Sequence, residues 1–127
     1  MKDSLKILHA SWKCGINQSG IRELLILEEL NVSNNSKITN VNHLKDSLKI
    51  LDTSQNCGIT QNGIRELYKL EKLNARDNSN ITDVNHLAGS LKILDASGNC
   101  GITQNGIREL LILETLCAND NSNITQL

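Results

Sequence analysis

The sequence predicts an α/β solenoid, a single domain over residues 1–127, with short strands stacked into one parallel sheet and short helical turns on the opposite wall. Three observations predict it. Residues 5–47 return as 48–90 and again, shortened, as 91–127, and the last two copies are identical at 28 of the 37 positions they share. Within each copy an LxxL segment opens at Leu5, Leu27, Leu48, Leu70, Leu91 and Leu113, at intervals alternating between 22 and 21 residues. Apolar residues then recur at fixed places after each opening leucine. A unit of this size buries its apolar side only by stacking on its neighbours.

The 43-residue copy therefore holds a longer unit A and a shorter unit B, about six repeats in all. Unit A reads LxxLxxSxxCGIxQxGIREL and unit B reads LExLxxxxNSxITxVNHLxxS. Both fit L-x-x-L-x-φ-x-x-N-x-x-I-T, where φ is small. This pattern resembles the leucine-rich repeat family over the whole chain, and the Cys with its ITxxGI run is similar to the cysteine-containing subfamily. The Asn-rich, Phe-free texture resembles arrays from amoebae and their giant viruses. The resemblance implies a horseshoe arc, with the parallel sheet concave and short helices or 3₁₀ turns convex.

Numbering each unit from its opening leucine turns the pattern into geometry. Side chains alternate along a strand, so positions 4 and 6 point inward and positions 3, 5 and 7 outward. Position 4 is Leu8, Leu30, Leu51, Leu73, Leu94 and Leu116, and position 6 is Ala10, Val32, Thr53, Ala75, Ala96 and Ala118. Position 12 is isoleucine throughout, from Ile16 to Ile124. These three rows form the expected core, and repetition of one chain direction makes the sheet parallel.

The turn after each strand carries Asn35, Asn56, Asn78, Asn99 and Asn121 at position 9, with Lys13 in the first unit. The resemblance implies that these amides form a ladder with buried backbone groups, which must find partners. Unit A then predicts a short helix near residues 62–68, with Ile64 and Leu67 facing the core. In unit B the V-N-H-L run predicts a single helical or 3₁₀ turn.

Composition excludes several function classes. A net charge of −1 and a pI near 6.3 supply no basic stripe for nucleic acid. No long apolar run or signal-peptide pattern is present, so neither a membrane nor secretion is expected. Cys14, Cys57 and Cys100 share position 10, two rungs apart. At ~4.8 Å per strand neighbours in that row lie roughly 10 Å apart, beyond the ~7 Å reach of a disulfide. Four reduced cysteines fit an intracellular, cytoplasmic protein. In such a protein the sequons at Asn17, Asn31, Asn34, Asn80 and Asn123 read as chance. The 17 asparagines fit an AT-rich genome as well as any selection.

No catalytic constellation emerges, and no cofactor or metal is expected. His43 and His86 fall at position 17 of unit B, on the edge opposite the cysteine row, which separates the parts of a Cys–His nucleophile pair. A spacing of 43 residues between cysteines is unlike the ~2–4 residues of zinc ligand pairs. The cysteine row reads as small buried filler. At position 2, Lys6, Glu28, Lys49, Glu71, Lys92 and Glu114 alternate in sign, a pattern suited to cross-strand ion pairs.

What remains is the outward sheet face, at positions 3, 5, 7 and 8. Six of those eight double-unit positions differ among the copies, against 12 of the other 35, as a recognition surface would. The candidate partner-binding residues are Ile7, His9, Trp12, Glu29, Asn31, Ile50, Asp52, Lys72, Asn74, Arg76, Ile93 and Asp95. Trp12 is the only tryptophan and a typical interface anchor, and the three isoleucines make an apolar stripe between charges. The expected function is a protein–protein interaction module that binds a partner through the concave face. The alternative is a structural solenoid that self-assembles end to end, because no polar cap is evident where Met1 aligns with Leu44 and Leu127 with Val41.

Overall fold

The computed structural model of the chain describes residues 4–12 and 14–126. The expectations placed on Met1, Lys13 and Leu127 lie outside the described residues. Six three-residue strands form one sheet: β1 (Ile7–His9), β2 (Glu29–Asn31), β3 (Ile50–Asp52), β4 (Lys72–Asn74), β5 (Ile93–Asp95) and β6 (Thr115–Cys117). They lie side by side in chain order and every pair is parallel, with Leu8, Leu30, Leu51, Leu73, Leu94 and Leu116 in one register row. The LxxL phase thus sets strand, direction and register together.

The core follows the predicted rows. Leu30, Leu51, Leu73 and Leu94 are at most 1% exposed, and Ile38, Ile59, Ile81 and Ile102 are fully buried. Each such side chain contributes about 1.5–3 kcal/mol of burial. The end units differ: Leu8, Ile16, Leu116 and Ile124 are only partly buried, because each has a neighbour on one side alone.

Return segments are shorter than predicted. Helices α1 (Gln18–Ile21) and α2 (Gln61–Ile64) are single turns, and the third A unit has a 3₁₀ turn at Gln104–Gly106. The helix expected to Tyr68 stops at Ile64. Leu67 and Leu70 must both turn inward, and consecutive tight turns achieve this, with Leu67 N donating to Ile64 O and Leu70 N to Leu67 O. The expected facing of Ile64 and Leu67 is correct, both being fully buried. In unit B the V-N-H-L runs form 3₁₀ turns at Asn42–Leu44 and Asn85–Leu87. No helix among the described residues is long and apolar enough to cross a membrane.

The turn ladder departs from the expected one. In the B units it stands as expected. Asn78 Nδ2 donates to Thr53 O at 2.9 Å and to Ile59 O at 3.1 Å, while its Oδ1 accepts from Asn80 N at 3.0 Å. Asn35 and Asn121 repeat the arrangement. In the A units Asn56 and Asn99 are exposed, and Cys57 and Cys100 take the buried place, each Sγ accepting from an isoleucine N–H two residues on. Gly58 follows because a Cβ there would sit 2.6 Å from Ser36 O and 2.7 Å from Ile38 O of the preceding turn. Cys14 departs from the filler expectation and is exposed, as befits the first unit.

Other amides tie the return segments. Gln61 Oε1 accepts from Thr82 N and Asp83 N while its Nε2 donates to Asp83 O, and Gln18 and Gln104 do the same in their units. Asn42 and Asn85 bond forward to the next A unit through Nδ2 and Oδ1. His43 and His86 reach back, each Nε2 near 3 Å from Ile21 O or Ile64 O. Much of the asparagine and glutamine content thus satisfies backbone groups. The charge zipper is largely unmade. Lys6 Nζ lies 3.7 Å from Glu28 Oε2, whereas Lys49, Glu71, Lys92 and Glu114 form no ion pair among the described residues. Exposed long side chains gain little from closing such pairs.

Candidate binding surface

Two register rows project from the outward face, and they differ in kind. The position-3 row runs Ile7, Glu29, Ile50, Lys72, Ile93 and Thr115. An isoleucine stands on every A strand, with Ile7, Ile50 and Ile93 at 56%, 37% and 38% exposure. Nothing in the fold requires those side chains, so the stripe is surface chemistry.

The position-5 row runs His9, Asn31, Asp52, Asn74, Asp95 and Cys117. Here the backbone has a claim. Oδ1 of Asn31, Asp52, Asn74 and Asp95 accepts from the N–H two residues on, in Ser33, Ser54, Arg76 and Ser97, at 2.9–3.0 Å. These are Asx turns, which bend the chain out of the strand. Four of the candidate residues thus have a structural task as well as an exposed one.

In the interior A units the bend also buries position 7, against the expectation that it points outward, whereas Arg76 and Asn119 at the same position of B units are exposed as expected. Ser54 and Ser97 are buried at 6% and 0% exposure, and Ser97 Oγ accepts from Asn119 N at 3.1 Å. Position 8 is left-handed in every unit: Trp12 has φ 57°, Asn34 59°, Gln55 62°, Asp77 57°, Gly98 68° and Asp120 62°. Gly, Asn and Asp adopt that region readily, whereas Trp12 and Gln55 hold it at a steric cost.

The structure gathers some of the candidates and separates others. His9, Glu29, Ile50, Asp52, Lys72 and Asn74, together with Asn31, line a shallow depression of about 170 Å³. His9 Nε2 lies 3.6 Å from Glu29 Oε2 within it. Trp12, 66% exposed, belongs to a separate groove of about 220 Å³ beside Asn34, Ser36 and Lys37 on the turn edge. Arg76 also lies past the strand, its Nε 3.7 Å from Asp77 Oδ2. Ile93 and Asp95 continue the two rows on β5.

The thiols offer little chemistry. All four cysteines are free. Burial pushes the Cys57 thiol up to about 11, with Asp52 adding to the rise against two backbone hydrogen bonds. Burial likewise raises Cys100. Both remain protonated at neutral pH, when only a thiolate is a good nucleophile or ligand. No group of three His, Cys, Asp or Glu side chains placed to hold a metal occurs among the described residues.

One feature was not anticipated from the sequence. Leu25 and Ile26, Tyr68, then Leu111 and Ile112 stand exposed at the same place in successive A units, away from the sheet face. The signal was present in RELLILE, RELYKLE and RELLILE, where only the first and last of the four residues after RE are in core phase. Tyr68 packs edge-on to His86, with centroids 6.2 Å apart. No family model matches this chain, and no curated protein matches it significantly.

Proposed function

We propose that the chain is a leucine-rich repeat protein, curved as a horseshoe with the sheet on its concave side, and that it binds a protein partner through that face without catalysis. The observation that carries this is the position-3 row, where exposed isoleucines alternate with Glu29 and Lys72 in strict register. An apolar stripe flanked by charge gives a partner both burial and orientation, and a rigid sheet loses little freedom on binding. His9, Trp12 and Arg76 extend the contact on the turn side. A net charge of −1 argues against nucleic acid. The engaged amides and protonated buried thiols argue against a reaction centre. Free thiols suit an intracellular, cytoplasmic setting.

The test compares two altered chains in affinity capture from cell extract. One carries Trp12→Ala, Ile50→Ala and Arg76→Ala. The other carries Tyr68→Ala and Leu111→Ala on the opposite flank. The expected result is loss of the captured protein with the first chain only, both melting within a few degrees of the parent. Capture that survives the first set, or depends on the second, overturns the proposal.

A further inference from the structure

Resting on the binding face proposed above, we infer that its ligand is an extended, basic peptide in the polyproline II conformation. It lies across the strands, with an apolar residue at every third position over the isoleucines. The position-5 row carries the polar half of the match. In each Asx turn the side-chain Oδ1 is held by the chain's own N–H, at Ser33, Ser54, Arg76 and Ser97. That bond fixes the side chain and leaves its second atom turned away from the N–H. The second atom is an amide donor, Nδ2, on Asn31 and Asn74, and a carboxylate acceptor, Oδ2, on Asp52 and Asp95. Among the described residues none of these four atoms has a partner, and all four side chains are half-buried. Donor and acceptor thus alternate strand by strand from β2 to β5. Because the turns already hold them, little side-chain freedom is lost when a ligand pairs with them.

The apolar half fixes the period. Ile7, Ile50 and Ile93 occupy alternate strands of the position-3 row. Strands ~4.8 Å apart place them ~9.6 Å apart. A polyproline II helix repeats every three residues, a rise of ~9.3 Å. An α-helix returns to the same face after seven residues, ~10.5 Å, so it loses register by ~0.9 Å per step against ~0.3 Å. Its N–H and C=O groups are also satisfied internally, which leaves nothing for the Asn31 and Asp52 atoms to bond. A β-strand turns every third residue to the opposite side. Polyproline II keeps its backbone groups free. Carbonyls of successive turns therefore meet Nδ2 of Asn31 and of Asn74, which share the two-strand spacing of the isoleucines. Charge selects a basic sequence, because the two rows from β1 to β5 carry Glu29, Asp52 and Asp95 against Lys72 alone. Asp52 and Asp95 stand on the strands of Ile50 and Ile93, so they call for one Lys or Arg in each turn beside the apolar residue.

The test is fluorescence anisotropy of labelled synthetic peptides with the whole purified chain. The probe is a run of Val-Pro-Lys triplets. One control has the same residues in irregular order, and the other is a helical peptide of equal charge with leucine at every seventh position. The triplet peptide should bind about tenfold more tightly than either, since only it meets all the sites at once. Asp52→Asn with Asp95→Asn keeps both Asx acceptors, so the melting temperature should hold while affinity for the triplet peptide falls about tenfold. Ile50→Ala with Ile93→Ala alters exposed side chains alone and should weaken binding about as much, roughly tenfold. Asn31→Asp with Asn74→Asp separates a fitted ligand from general attraction to acid. It keeps the turns, adds negative charge and removes both amide donors, so an uncharged peptide of Val-Pro-Gln triplets should bind about tenfold more weakly. Equal binding of ordered and irregular peptides, preference for the helix, unchanged binding by the aspartate variant, or no binding at all overturns the inference. Peptide binding is read with purified chain and capture from extract, so the two fail separately. A chain whose sheet-face variants lose the captured protein, yet which binds no triplet peptide, keeps the proposed face and overturns the extended ligand alone.

Discussion

After β4 the chain turns on Asn78, whereas after β3 it turns on Cys57. Both turns reverse the chain at the same edge of the sheet and both end on a buried isoleucine. Their chemistry differs. Asn78 satisfies two carbonyls of the preceding turn and one N–H of its own. Cys57 accepts one N–H at 3.4 Å, and the glycine after it lets the backbone close on the turn before, with Gly58 N donating to Asn35 O at 3.0 Å. The polar work of two turns is thus gathered into one amide every second rung. The turn between can be apolar and tight. An amide that bonds on both sides makes an identical amide in the neighbouring turn unnecessary.

The sharpest way to break this contrast is to remove the amides one at a time. Asn78→Ala leaves two buried carbonyls and a part-buried N–H unpaired, the carbonyls worth about 1–3 kcal/mol each. The loss should be about 3–5 kcal/mol in urea unfolding, since such terms do not add fully. Asn56→Ala, at the same count from its opening leucine, should fall within ~0.5 kcal/mol of the parent because that side chain is exposed. Comparable losses at the two sites would mean that unit A has an amide tie after all.

That pair also shows where the sequence was readable. Spacing revealed the units, the parallel register and the three core rows, because leucines and isoleucines have no other reason to recur at 22 and 21 residues. It misplaced the A-unit ladder for a physical reason. From position 4 to position 12 both turns contain the same number of residues, so alignment sets Asn56 beside Asn78. The backbone does not follow that alignment: Cys57 N donates to Gln55 O, while Asn78 N donates to Ala75 O. One tighter bend in unit A moves the next residue into the buried place. The face was half legible in the same sense. Ile50 and Ile93 stand exposed, as their position in the strand predicts, whereas Asp52 and Asp95 recur partly because the strand exit needs an Asx acceptor. The left-handed residue was signalled by Asn34, Asp77, Gly98 and Asp120, and masked by Trp12 and Gln55.

A smaller effect should follow from the glycine that lets the A turn close. A methyl at Gly58 would meet two backbone carbonyls, and backbone yields less readily than a side-chain tip. Gly58→Ala should therefore destabilise by about 1–3 kcal/mol, the usual range for overpacking. In the B turn, Ser79 follows the ladder residue and is exposed, so Ser79→Ala should be nearly neutral in the same melt. A neutral Gly58→Ala would show that the A turn has room to spare and that its glycine answers to something other than contact.

The smallest effect separates the two turns by pH alone. Asn78 has no proton to lose, but Cys57 does. Burial raises its thiol from an ordinary 9.0 to about 11. The folded chain therefore keeps that proton where the unfolded chain releases it. Between those values the unfolded state binds fewer protons, so stability falls as pH rises. The contribution is whole below pH 9 and is lost progressively as pH climbs toward 11. A tenfold difference in proton affinity corresponds to about 1.4 kcal/mol, so the part lost between pH 8 and pH 10 is about 1 kcal/mol. Cys57→Ala removes the proton and shifts the whole stability curve, so the measurement is the slope. Parent and variant are unfolded in urea at pH 8, 9 and 10, and the gap between them should narrow by about 1 kcal/mol. Every other ionisable group is common to the two chains and cancels in that difference. A gap that stays constant over the range would mean that the Cys57 thiol is not sealed in the folded turn, and the contrast between an apolar A turn and a polar B turn would lose its chemical basis.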